Sequence, residues 1–264
     1  MHSGEAIFLG VLQGITEFLP ISSSGHLVLA EYFLGLSDTN IAFDVMLHMG
    51  TLIAVLIYFY KDWFKILSSL LPNSTDTKSR RLLFYLIIGT IPGALIGFFL
   101  EHLAETIFRS PWVVVCTLAS VAILLFLAEK FASHIRKLND IKAKDAILIG
   151  LSQACALIPG VSRSGITMTC ALFLGFNRQT AAKFSFLLSA PIIAGAGLYE
   201  GIKLFKNEVN IFAANYFLGF LASFISGYLV IAFLMNYLKN NTFYPFIIYR
   251  LALSVVVATV LLYY

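Results

Sequence analysis

Hydrophobic residues fall along this chain in runs whose lengths repeat in a fixed order. A short run over residues 5–19 stops at Pro20, a serine-glycine stretch interrupts it, and a second short run continues to Gly35. Neither reaches the roughly 20 apolar residues that cross a bilayer. Two half-length helices around a break predict a re-entrant hairpin, which enters and leaves the membrane on one face. Three runs of spanning length follow, at about 42–60, 82–100 and 112–129, separated by charged loops at Lys61–Arg81 and Glu101–Arg109.

After the basic loop Lys130–Asp145 the order restarts. A short run (146–158) leads into the break PGVSRSG, another short run ends at Gly175, and spans follow at about 184–202, 212–235 and 245–264. The halves, approximately 1–135 and 140–264, each read as one hairpin plus three spans. An offset of 140 aligns Gly10/Gly150, Gln13/Gln153, Ser22/Ser162, Ser24/Ser164, Gly25/Gly165, Phe33/Phe173, Leu34/Leu174 and Gly35/Gly175. These are eight identities in 26 positions, where chance gives roughly two. A one-residue shift extends the match to Phe43/Phe184, Leu47/Leu188 and Tyr58/Tyr199. A hairpin returns to its own side and three spans are an odd number, so the second copy starts on the opposite side. The pattern predicts an all-α, polytopic integral membrane protein with an inverted-topology repeat, residues 1–264 forming one membrane domain.

Composition agrees: 59% of residues are hydrophobic and 12% charged, against about 25% charged in a soluble domain. The net charge of +4 is small and scattered, which speaks against a nucleic-acid partner. Cys116, Cys155 and Cys170 lie in apolar runs without ligand spacing and are expected to be small core residues, not disulfides or metal ligands. The first run lacks a basic flank and holds Gln13, Thr16 and Glu17, so no cleaved signal peptide is expected. Of the 18 Lys and Arg, 13 fall in the loops 61–81, 130–145, 176–183 and 236–244, and three (Arg109, Lys203, Lys206) fall on the other side. Positive charge collects on the cytoplasmic side. Both termini and the mouth of the first hairpin are therefore expected to face outward from a cell membrane.

The breaks hold the candidate chemistry. Ser22 is placed to cap the second half-helix, whose first N–H groups and dipole make an anion site. Ser23 and His26 are three apart on one helical face, which suggests a hydroxyl nucleophile with an imidazole base. Glu17 stands just before the break, where it could act as base, orient His26 or bind a divalent cation, and Gln13 lies one turn behind it. The second break repeats the anion site with Ser162, Ser164 and Thr167 and places Arg163 at the position of Ser23. Arginine is costly in a membrane interior, and its planar fork suits phosphate oxygens. Taken singly, the serines would be small packing residues and Glu17–Arg163 a structural ion pair. Their recurrence at two repeat-related breaks favours a site. Weaker candidates are Asp44 and His48, four apart at a metal-compatible spacing or acting as a support for the hairpin. Glu200 and Arg250 lie near span ends, where snorkelling or pairing is expected. The 24 Phe and 12 Tyr suit lipid-facing packing and interfacial belts, or a groove for a long apolar substrate.

At these residues the sequence resembles the undecaprenyl-diphosphate phosphatase family of the bacitracin-resistance type. The family's [EQ]xxxE and PxSSxGH elements read here as Gln13, Glu17, Pro20, Ser22, Ser23, Gly25 and His26. Its PGxSRSxxT element reads as Pro159, Gly160, Ser162, Arg163, Ser164 and Thr167. The resemblance spans essentially the whole chain. Gln13 stands where some members carry a second glutamate, which puts in doubt any mechanism needing two carboxylates. The resemblance implies removal of the terminal phosphate from a polyprenyl diphosphate lipid, giving the monophosphate carrier for cell-wall synthesis, with bacitracin resistance as a consequence. It implies dependence on a divalent cation, Mg²⁺ or Ca²⁺, and chemistry facing outward. On this reading Glu17, Ser23, His26 and Arg163 are catalytic and Glu17 also holds the metal. Gln13, Ser22, Ser24, Gly25, Ser162, Ser164 and Thr167 bind substrate. Two chemistries remain open at this point: attack by Ser23 with His26 taking its proton, or attack by a water held by Glu17 or His26. The rival functional class is a secondary transporter or lipid flippase of the same architecture. Oligomeric state stays open, a homodimer included.

Overall fold

The computed structural model describes residues 2–34, 41–105, 110–206 and 214–263. Gly35, which closes the first predicted hairpin and one repeat identity, and Arg109 lie outside them. Eleven α-helices account for the described secondary structure, with 3-10 turns at Leu138–Asp140 and Cys155–Leu157, and no strand occurs among the described residues. They are α1 (Ser3–Phe18), α2 (Ser23–Leu34), α3 (Ile41–Tyr58), α4 (Tyr60–Ser68), α5 (Thr77–Glu105) and α6 (Pro111–Phe131), followed by α7 (Ala143–Ala154), α8 (Arg163–Phe173), α9 (Arg178–Lys206), α10 (Ala214–Tyr237) and α11 (Tyr244–Tyr263).

Helix starts follow local chemistry. Asp76 accepts from the Ser79 N–H ahead of α5 (3.0 Å) and Asn177 from the Thr180 N–H ahead of α9 (2.8 Å), both side-chain caps. Pro111 opens α6, where its missing N–H costs nothing. Helices α5, α6, α9, α10 and α11 are long and apolar enough to cross a membrane, and α3 with α4 makes a sixth span if that bent pair is counted as one. The protein is thus an all-helical membrane protein. The short pairs α1/α2 and α7/α8 fall at the two predicted hairpins.

Three sequence expectations need correction. The segment after Tyr58 is not a loop: the chain bends by 74° into α4, whose Phe64 and Leu67 are exposed while Ile66 is buried. Its charged residues had masked an amphipathic turn. Nor does the loop Glu101–Arg109 begin at Glu101, because α5 runs on to Glu105. The cysteines are not core residues, since Cys116 and Cys155 are exposed and Cys170 only partly buried. In a membrane protein an apolar run faces lipid as readily as core, so hydrophobic surroundings in sequence do not establish burial. They form no disulfide.

The four basic loops gather at one end of the bundle. Lys183 pairs with Asp62 (2.7 Å), Arg178 Nε donates to Glu129 (2.7 Å), Arg136 pairs with Asp145, and Gln179 donates to the Met235 carbonyl (3.3 Å). Elements of the two halves interleave. Helix α1 packs chiefly on α10, and its repeat counterpart α7 packs on α5. Both contacts run backbone against backbone through glycine. A methyl group built on Gly10 would lie 2.4 Å from the Gly219 carbonyl oxygen, and one on Gly150 would lie 2.2 Å from that of Gly89. Such close approach is how helices pack where lipid removes the hydrophobic drive between them.

Gly150→Ala should therefore lower the thermal midpoint in detergent, the overpacking costing about 1–3 kcal/mol. Gly195→Ala in α9, with nothing within 4 Å of the added methyl, should not lower it. Equal midpoints for the two variants would remove the close-packing argument.

Candidate active site

The two helix breaks are built alike and touch each other. Ser22 precedes α2 and Ser162 precedes α8. Each holds a left-handed backbone (φ 80° and 73°), and each hydroxyl accepts from the N–H three residues on, Gly25 at 3.2 Å and Gly165 at 3.0 Å. Left-handed φ in a non-glycine residue costs on the order of 1–3 kcal/mol and persists only where the surroundings enforce it. Gly160, at φ 89°, has a different reason to be glycine: a methyl there would meet the Thr117 hydroxyl at 2.0 Å. Between the breaks, the Ser164 hydroxyl donates to the Leu19 carbonyl (3.0 Å).

What enforces this geometry is Arg250. It does not snorkel, as its place in the sequence suggested; it is 0% exposed. Its guanidinium donates to five carbonyls: Pro20 in the first break (3.1 Å), Gly160 (2.8 Å) and Val161 (3.2 Å) in the second, and Thr117 and Leu118 of α6 (3.2 Å each). The Thr117 hydroxyl adds a bond to the Pro159 carbonyl (2.7 Å). Broken helices leave carbonyls without intrahelical partners, and at membrane depth protein must supply the donors. Nε serves Leu118, Nη1 serves Pro20, and the two N–H groups of Nη2 are shared among Thr117, Gly160 and Val161, a spread that takes the planar fork of an arginine.

On this frame sits a hub around Glu17, which is buried. Its Oε1 accepts from Arg163 at 2.6 Å, while its Oε2 accepts from the Ser23 hydroxyl at 2.6 Å and from Gln13 Nε2 at 3.1 Å. His48 Nε2 lies 3.8 Å from Oε2. The His48 Nδ1 is 2.8 Å from the Asp44 carbonyl, and since a carbonyl only accepts, Nδ1 holds the proton there. Ser23 and Arg163 are the first helical residues of α2 and α8, so the repeat position that carries a hydroxyl in one copy carries the guanidinium in the other. With Glu17, Ser24 and His48 they line a cavity of about 350 Å³, whose wall also includes Asp44, Glu200, Gln153 and the apolar Leu157 and Ile193.

His26 is elsewhere. Its Nδ1 donates to the Ser22 carbonyl (2.6 Å), its Nε2 accepts from the Tyr249 hydroxyl (2.7 Å), and the two rings stack at 5.7 Å. The structure does not bring it to Ser23: a shared helical face permits contact, but the imidazole is spent closing the turn over its own cap residue. Ser22, Gly25, Ser162 and Ser164 shape and join the breaks rather than line the cavity. Thr167 is buried behind Arg163, donating to its carbonyl (2.7 Å) and lying 2.7 Å from the Ser185 hydroxyl, while Arg163 also donates to the Ser185 carbonyl (3.2 Å). Asp44 and His48 belong to the cavity wall, and Glu200 both lines it and pairs with Lys203 (3.1 Å). Among the described residues no group of three or more His, Cys, Asp or Glu could hold a metal ion. The amide oxygen of Gln13, however, is buried beside Glu17 with no hydrogen-bond partner among the described residues.

A family model described as Bacitracin resistance protein BacA matches residues 6–256. Curated relatives align nearly end to end. An undecaprenyl-diphosphatase of Desulforudis audaxviator is 43% identical over 262 residues, covering 99% of both chains. One of Elusimicrobium minutum is 47% identical over 257 residues (97% of both), and one of Moorella thermoacetica is 46% identical over 258 residues (97% of both).

Arg250→Met should abolish the clasp. Each buried carbonyl left without a donor costs about 1–3 kcal/mol, so the variant should unfold far below wild type in a detergent melt or fail to accumulate. Wild-type unfolding of Arg250→Met would show the five bonds to be dispensable.

Proposed function

The chain belongs to the bacitracin resistance protein BacA family, and we propose that its reaction runs on the Glu17–Ser23–Arg163 cluster. The protein is an undecaprenyl-diphosphatase, a membrane hydrolase that removes the terminal phosphate of a polyprenyl diphosphate, and its relatives favour this reading over that of a transporter. The observation that carries the site assignment is the Ser23 hydroxyl donating to Glu17 at 2.6 Å, with Arg163 on the carboxylate's other oxygen, inside the cavity.

On this reading Ser23 Oγ attacks the terminal phosphorus and its proton passes to Glu17 Oε2. The bond from phosphorus to the bridging oxygen breaks, and the lipid monophosphate leaves. Water then attacks the phosphoserine, releasing inorganic phosphate and returning the proton to Oγ. Glu17 replaces His26 as the base, because Glu17 is the group the hydroxyl reaches. The fork of Arg163 can turn from the carboxylate to phosphate oxygens, stabilising the transferring phosphoryl group and freeing Glu17 to accept the proton. His26 acts through the turn that presents Ser23.

A divalent cation fits this donor set only if the substrate contributes. Glu17 and the unpartnered Gln13 oxygen would hold it, which suits Mg²⁺, a metal bound through one or two carboxylates plus substrate phosphates. The cation would neutralise charge on the diphosphate. We place the four basic loops in the cytoplasm, and the cavity mouth, near Asp44 and Glu200, outward. The matching α1–α10 and α7–α5 contacts support an inverted repeat with both hairpins meeting at the cavity.

Purified protein should release phosphate from a polyprenyl diphosphate. Ser23→Ala and Glu17→Gln should each lower kcat by at least about 100-fold, and Arg163→Lys should do so too because a point charge loses the fork. A chelator should silence wild type, and Mg²⁺ or Ca²⁺ should restore it. A Ser23→Ala enzyme at full rate would sink the assignment, and chelator-insensitive turnover would remove the cation. In intact cells, cysteine placed at position 3 should react with a membrane-impermeant thiol reagent and cysteine at 139 should not; the reverse pattern would invert the orientation.

A further inference from the structure

Gln153 shares the cavity but has no hydrogen-bond partner among the described residues. It lies on α7, is 4% exposed and lines the same cavity as Ser23 and Arg163, yet both its Oε1 and Nε2 lack a hydrogen-bond partner among the described residues. Exchanging the two amide atoms leaves the same two positions unpaired, so the finding does not depend on how the amide is turned. Buried amides almost always find partners, and one that does not needs an explanation.

The repeat supplies it. Gln153 is the counterpart of Gln13, and in the first copy Gln13 spends its NH₂ on Glu17, four residues along the same helix. The corresponding position in the second copy is Leu157, which has no acceptor to offer. The site keeps one carboxylate of the two that symmetry would give, and the second glutamine is left in the cavity wall with its donors unpaired among the described residues. Its packing fixes it there, since a methyl built on Gly93 of α5 would lie 3.0 Å from its Nε2.

We propose that Gln153 is a substrate-contact residue whose NH₂ donates to the phosphate that stays on the lipid. This rests on the site reading above, in which Ser23 and Arg163 engage the terminal phosphate. The apolar Leu157 and Ile193 beside it on the cavity wall suit the start of the prenyl chain. An amide in the wall of a cavity that also holds apolar residues and the charged clamp is suited to the phosphate that joins the lipid. A neutral donor there helps to bind the head and to stabilise the charge that gathers on the leaving lipid phosphate.

The test is Gln153→Met, close in size and without donors, with Gln153→Glu beside it. The Met variant should lose about tenfold in kcat/KM, as expected for one hydrogen bond to a charged group. It should raise the inhibition constant of a short-chain prenyl monophosphate by a similar factor. Its unliganded melting temperature should not fall, because two unpaired polar atoms have gone. Gln153→Glu should lose more in both measurements, since its charge repels phosphate. Unchanged kcat/KM and monophosphate inhibition in the Met variant would overturn the proposal. So would a fall in melting temperature with the loss of activity, which marks a structural role, or tighter monophosphate binding by the Glu variant. With wild type active and Ser23→Ala silent, such a result leaves the catalytic cluster standing. Full activity in Ser23→Ala removes the cluster instead, and the Gln153 measurements still decide whether the amide touches phosphate.

Discussion

Everything polar in this protein depends on how carbonyl groups are satisfied where a helix stops inside apolar surroundings. A broken helix exposes acceptors that lipid cannot solvate, and several kcal/mol per group stand against such a structure. Arg250 removes that objection for both breaks with one side chain. By donating to Pro20 and to Gly160 and Val161 it also fixes the distance between the breaks. The Glu17–Arg163 contact spans that same seam, with Glu17 delivered by the first break and Arg163 by the second. An ion pair between elements so far apart in sequence depends on the seam being held by something other than itself, and the clasp does that.

The site is asymmetric although its frame is not. Both breaks use a serine cap in the left-handed region and a glycine three residues later, and among the positions where they differ two pairs reach the cavity: Ser23 against Arg163, and Glu17 against Leu157. Repeat-related positions supply a hydroxyl in one copy and a guanidinium in the other, and on the proposed mechanism these are nucleophile and phosphate clamp. Two serines, two arginines or two carboxylates at these places would each lack half of what phosphoryl transfer asks for.

Much of this was legible in the sequence, because breaks in apolar runs and serine caps are one-dimensional signals. The half-helices at Ser23 and Arg163 start where the cap residues said they would. What the sequence did not show was direction. Ser23 and His26 share a face by spacing, but which partner a hydroxyl meets depends on a segment beyond its own helix, and the structure gives Glu17 to Ser23 and Tyr249 to His26. Arg250 read as a span-end cation because its partners are backbone carbonyls, which every residue has and no motif records. Helix α4 was hidden by its charges and the exposed cysteines by their apolar neighbours. In a membrane protein polarity along the chain reports depth and company together, and only packing separates them.

The clasp also orders events in time. Arg250 stands 230 residues after Pro20 and 90 after Gly160 in the chain, so both breaks are synthesised before their shared donor exists. Until α11 inserts, those carbonyls have no arginine to meet them, and the seam has no brace. The Glu17–Ser23–Arg163 cluster is therefore a late and collective product of biogenesis. Helices laid down early wait, incompletely closed, for one that follows, and a nascent chain stalled before α11 holds Glu17, Ser23 and Arg163 without the clasp that braces the seam between them.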